Sequence, residues 1–114
     1  MRLAYREIIK VRNELIKLIT EYKEGKELKK EEFEFFAEEK SLSRSEFYTG
    51  YTAGISVRKI FEMDTDDYDS ADVKKEVDGK MVTFHPSIIE YNGEIFYIVR
   101  SYKKNHSSVE VTVR

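Results

Sequence analysis

The sequence predicts a mainly β, α+β domain: a small antiparallel β-barrel or sandwich with one short helix near residues 43–53 and a helix at the N-terminus. Two observations carry most of this. In "EEFEFFAEEK", Phe33, Phe35 and Ala37 alternate with Glu32, Glu34 and Phe36, the period-two pattern of a half-buried strand. Farther on, Asp78-Gly79 and Asn92-Gly93 each stand between two apolar runs. Such dipeptides supply the positive φ that tight hairpin turns need at both central positions.

The elements follow in order. At the start, Ile8, Val11, Arg12, Leu15, Leu18, Ile19 and Tyr22 keep a helical spacing, and propensity over residues 5–18 agrees. The same run contains "LIKLIT", which suits a strand equally well. Gly25 marks a turn, and the Phe33 strand follows. Ser43 and Glu46 then have capping-box spacing, and Gly54 suits the residue after a helix end; Phe47 and Tyr51 share a face of the helix between. "ISVRKIFEM" returns to strand, and "DTDDYDSAD" reads as an acidic loop. Two hairpins follow, at "KEVDGKMVTF" and "IIEYNGEIFYIVR". In the last of these strands Phe96, Ile98 and Tyr102 are expected to alternate with Tyr97, Val99 and Ser101. A turn at "KKNHSS" leads to Val109, Val111 and Val113.

Composition narrows the function classes. A chain of 114 residues is the length of one domain, 1–114. Its 40% apolar and 37% charged residues describe a globular chain with a heavily charged surface. A net charge of −2 offers no general attraction for DNA or an anionic membrane. The absence of cysteine excludes disulfides, thiolate metal sites and cysteine nucleophiles. "MRLAYREIIK" is charged too early for a signal peptide or membrane span.

Catalytic and metal chemistry finds little support. His85 and His106 stand near predicted turns without ligands or an oriented partner at hand in sequence, so solvated turn histidines are expected. Glu62, Asp64, Asp66, Asp67, Asp69 and Asp72 alternate as oxygen ligands would, but the glycine and final glutamate of a calcium loop are missing. Ser41, Ser43 and Ser45 lack a nucleophile motif, and no phosphate-binding glycine loop occurs. No enzyme, cofactor or metal is expected. Eight tyrosines and seven phenylalanines point instead to aromatic surface used in contacts.

Three motifs in register add a resemblance. Lys40, Ser41, Ser43, Arg44, Ser45, Glu46, Phe47, Tyr48 and Gly54 match one motif of the phage head–tail joining (adaptor, stopper) family. Asp67 and Tyr68 match a second, and Glu90, Tyr91, Asn92, Gly93, Tyr97, Ile98, Arg100 and Tyr102 a third. The chain resembles that family from about Leu15 to Arg114. The resemblance implies a small barrel or sandwich whose copies form a ring between portal and tail, closing the head and letting DNA pass. Its implied partners are further copies of itself, portal or adaptor and tail proteins, and phage DNA in transient non-specific contact, with no membrane. Its implied location is the virion's head–tail interface, and the bacterial cytoplasm during assembly. Arg44, Tyr48, Tyr51, Tyr97, Arg100 and Tyr102 are the expected interface residues. Asp64, Asp66, Asp67, Asp69 and Asp72 are expected on a channel-facing loop, where acidic side chains repel DNA phosphates. Residues 64–86 depart from the family pattern through an added Asp-Gly turn, which predicts an extra hairpin or extended loop. The family's opening strand falls on residues 16–22, so a helix over 3–14 and then a strand over 15–22 is expected.

A different class remains: a small-barrel regulatory module that binds nucleic acid or a protein target. It requires a basic stripe with stacked aromatics on one sheet face. A small hydrolase or isomerase would require a convergent polar set, which the sequence does not display.

Overall fold

A computed structural model describes residues 13–40 and 58–114. Strands β1 (Glu14–Glu24) and β2 (Glu27–Lys40) open the described chain, followed by β3 (Lys59–Asp64) and helix α1 (Thr65–Ser70). Then come β4 (Val73–Val77), β5 (Lys80–Phe84), β6 (Ile88–Tyr91), β7 (Glu94–Lys103) and β8 (Ser108–Val113). Six strands close into an antiparallel barrel in the order β1-β2-β3-β8-β7-β6, and β4 and β5 form a separate two-stranded sheet. The barrel and the strand expected over 15–22 are therefore observed. The short helix expected near 43–53 lies outside the described residues, as do Arg44, Tyr48 and Tyr51; of the helix expected over 3–14, only residues 13 and 14 are described, and Glu14 already belongs to β1. One expectation is corrected. The run read as an acidic loop contains helix α1, because Thr65 and Tyr68, three residues apart, both bury their side chains. A helix aims that spacing at one surface.

Alternation builds the interior. Ile16 and Leu18 from β1, Ala37 from β2, Phe61 and Met63 from β3, Ile89 from β6 and Phe96 from β7 all face inward and are buried. Val109, Val111 and Val113 of β8 complete the set. Phe61 lies at its centre, edge-on to Tyr91 at 5.3 Å and to Phe96 at 6.3 Å. Side chains fill the barrel as in other small barrels, which makes it a core rather than a pore. On β8 the polar positions depart from simple alternation: Thr112 is buried too, opposite buried Ile60 in register.

Both glycine hairpins form as expected. Asp78 and Gly79 have φ of 52° and 80°, and Asn92 and Gly93 have 51° and 78°. Asn tolerates this region best among residues with a side chain, and glycine pays no steric penalty. A Cβ added at Gly93 would meet nothing within 4 Å, so a substitution there costs backbone strain alone. Gly93→Val is expected to lower unfolding free energy by about 1–3 kcal/mol, and Gly93→Asn by clearly less. Urea denaturation of the two variants checks the order.

The barrel's two ends differ. At one end, residues Glu14, Glu39, Lys59, Tyr91 and Glu94 gather where β1, β2, β3, β6 and β7 meet. At the other, α1 and the β4–β5 sheet cover the opening. Thr20 Oγ1 donates to the Ala71 carbonyl at 2.6 Å, and Tyr22 packs against Phe84 at 6.4 Å with Lys75 over its ring. The extra hairpin anticipated for residues 64–86 is thus present and covers one end of the barrel.

Candidate docking surface and the polar cleft beside it

Strand β7 carries the described part of the expected interface. Its register against β8 shifts between Ile98 and Arg100. A bulge of this kind lets two residues oppose one and exchanges the faces beyond it. Simple alternation would put Tyr102 with inward-facing Phe96. The shift instead sets Ser101 opposite buried Val111 and turns Tyr102 outward. This corrects the expected alternation. Tyr97 is 53% exposed and Tyr102 65%. Arg100 and Tyr102 together line a shallow hollow with Ser101, Glu110 and Thr112. Tyr97 stands nearer the other end of β7, bonded through its backbone to Arg114.

Two further surfaces lie open. Leu15 and Phe36 are cross-strand partners on the outside of β1 and β2, and they are 52% and 58% exposed. Among the described residues β2 pairs with β3 only at Glu38–Lys40. Its second edge from Glu27 to Ala37 therefore has no described strand beside it. That edge is heavily charged, and Lys17–Glu32, Lys29–Glu24 and Lys30–Glu32 pairs flank it. Charge of this kind is how natural proteins keep an open edge from indiscriminate pairing.

Next to β7, α1 and the β5–β6 connection form an open cleft of about 540 Å³, lined by Tyr68, Asp69, Asp72, His85, Ile98, Arg100, Ser101 and Lys103. Lys103 Nζ reaches Asp69 Oδ2 at 3.1 Å, and His85 Nδ1 reaches Asp72 Oδ1 at 2.9 Å. His85 thus has the oriented partner that sequence reading did not supply. The pairing was invisible there because it joins residues flanking an entire hairpin. Burial, with the nearby carboxylates of Asp72 and Asp69, pushes the Tyr68 phenol above the usual range.

Of the five expected channel-facing aspartates, Asp69 is thus ion-paired with Lys103 and Asp72 is hydrogen-bonded to His85. Asp66 and Asp67 occupy the first turn of α1, where the helix dipole favours carboxylates, and Asp64 precedes it. The structure brings Asp69, Asp72 and Arg100 to one cleft, with Tyr102 beside them. Sequence reading had assigned them to two separate surfaces.

The polar end of the barrel is a structural cluster. The Tyr91 hydroxyl donates to Glu14 Oε2 at 2.9 Å, and Lys59 pairs with Glu39. The hydrogen bond to Glu14, with desolvation and Glu39 adding to it, pushes the Tyr91 phenol up to about 12. Its ordinary value is about 10. A group raised on folding contributes stability that is complete below the unfolded value and lost through the folded one. Stability is therefore expected to fall between about pH 10 and pH 12, and Tyr91→Phe to abolish that component. Denaturation midpoints of both proteins across the alkaline range check this.

Among the described residues no group of three or more histidine, cysteine, aspartate or glutamate side chains is placed to hold a metal ion, and no helix is long and apolar enough to cross a membrane. No family model matches the chain, and no curated protein or solved structure matches it.

Proposed function

We propose that this chain is a structural component of a phage or prophage head–tail connector, forming a ring between portal and tail that closes the head and passes DNA. The observation that carries this reading is the open surface of the barrel. Tyr97 and Tyr102 on β7, and Leu15 and Phe36 on the β1–β2 side of the barrel, are large and exposed, and Glu27–Ala37 of β2 has no described strand along its second edge. Exposed aromatic anchors and a free strand edge are what subunit contacts use. The interior is filled by side chains, which leaves the outside as the working surface. The resemblance of "EYNGEIFYIVRSYKK" and its companion motifs supplies the setting.

The alternative module that binds nucleic acid fares less well. It needs a basic stripe, whereas Lys17, Lys29, Lys30, Lys40, Arg58, Lys59, Lys75, Lys103 and Lys104 each pair with a carboxylate. Paired cations release few counterions on meeting DNA. Deleting the gene from the phage or prophage that encodes it tests the proposal. Electron microscopy is expected to find capsids and free tails that fail to join, restored by a plasmid copy. Normal tailed particles from the deletion strain would overturn it.

A further inference from the structure

We infer that the cleft between α1, His85 and β7 is a binding site for a tetrahedral oxyanion of the phosphate class, with Arg100 as its principal anchor. This goes beyond the connector reading and does not depend on it.

The argument begins with charge. Asp69 is ion-paired with Lys103 and Asp72 is hydrogen-bonded to His85, so both acidic side chains of the cleft already have partners. Arg100 lines the same cleft and has no carboxylate partner among the described residues. It is the one cation of the lining left over. A guanidinium offers a planar fork of donors that matches two oxygens of a phosphate or sulfate at once. Around it stand the Ser101 hydroxyl and the Lys103 ammonium, and Ile98 supplies an apolar wall. Convergent donors of several kinds on one apolar wall are typical of a small-ligand site. The volume of about 540 Å³ exceeds a bare anion, which leaves room for the organic group that a phosphate ester carries.

His85 is held at Nδ1 by Asp72, and the other charged groups facing the cleft are Asp69, Arg100 and Lys103. With Asp69 and Lys103 paired to each other, the Arg100 guanidinium is the lining donor available to an oxyanion.

Sulfate, a tetrahedral oxyanion that a guanidinium fork can grip by two oxygens, is the probe for this test. Amide chemical shifts of the full chain are followed while sodium sulfate is added at fixed ionic strength. The expected result is saturable, millimolar binding with shifts centred on Arg100, Ser101, Lys103 and His85. Arg100→Ala should weaken it by about tenfold or more. Lys80→Ala, on the exposed β5 strand, should change nothing. Sodium phosphate should bind at the same residues, and sodium acetate much more weakly. Linear, unsaturable shifts spread over the surface lysines, or equal affinity for Arg100→Ala and the parent, would overturn the proposal. Equal binding of acetate and sulfate would overturn its phosphate class.

Discussion

Phe61→Ala is expected to lower the unfolding free energy by about 3–5 kcal/mol, the usual cost of emptying a phenylalanine site in a packed core. Phe61 is 0% exposed and meets Tyr91 and Phe96 edge-on. It lies opposite Glu39 on β2 and Val111 on β8, so its ring joins the strands on which closure of the barrel depends. The short β2–β3 pairing, confined to Glu38–Lys40, has few backbone hydrogen bonds to hold it once that ring is gone. Since a domain of this size has only about 5–15 kcal/mol in hand, the variant should be largely unfolded well below the parent's melting temperature. Phe61→Leu keeps most of the volume and should cost about 1.5 kcal/mol or less. Equal denaturation midpoints for Phe61→Ala and Phe61→Leu would show that the ring is not the centre of the core.

Arg100→Ala with Tyr102→Ala is expected to have the opposite profile. Both side chains are exposed, so unfolding free energy should stay within about 0.5 kcal/mol of the parent. Binding to the portal or tail ring should weaken by roughly 30-fold or more, because buried tyrosine and arginine anchors each carry about 2 kcal/mol at interface centres. Tyr97→Ala, farther along β7, separates a broad interface from one confined to the cleft end. Surface plasmon resonance on immobilised rings reads the binding, and urea titration reads the stability. Undiminished binding by the double variant would remove this end of β7 from the interface.

Local chemistry made much of this fold legible in advance. Asp78-Gly79 and Asn92-Gly93 located two turns, and the Phe33, Phe35, Ala37 alternation gave β2 its inward face. "LIKLIT" supported a strand against a helical spacing that ran through the same residues, and β1 is that strand. What sequence did not disclose depends on distant partners or on irregularity. Helix α1 sits in an acidic run whose only signal was Thr65 and Tyr68 three residues apart. The register shift at Val99 has no local signature, and it decides that Tyr102 faces outward. His85 and Asp72 meet only because the β4–β5 hairpin folds back on itself. Closure of β1 against β6, which pairs Leu18 with Ile89, brings together segments that no short pattern connects. The serine- and tyrosine-rich stretch 41–54, which carries the first motif of the resemblance, lies outside the described residues.

The central claim is that the barrel's outer surface is built for assembly into a connector ring. The most direct test mixes the purified chain with purified portal rings encoded in the same genome and weighs the product by native mass spectrometry. The account predicts portal rings carrying a fixed, symmetric complement of copies, lost for the Arg100 and Tyr102 double variant. Portal rings that retain no bound copies, at concentrations well above those reached during assembly, would contradict it.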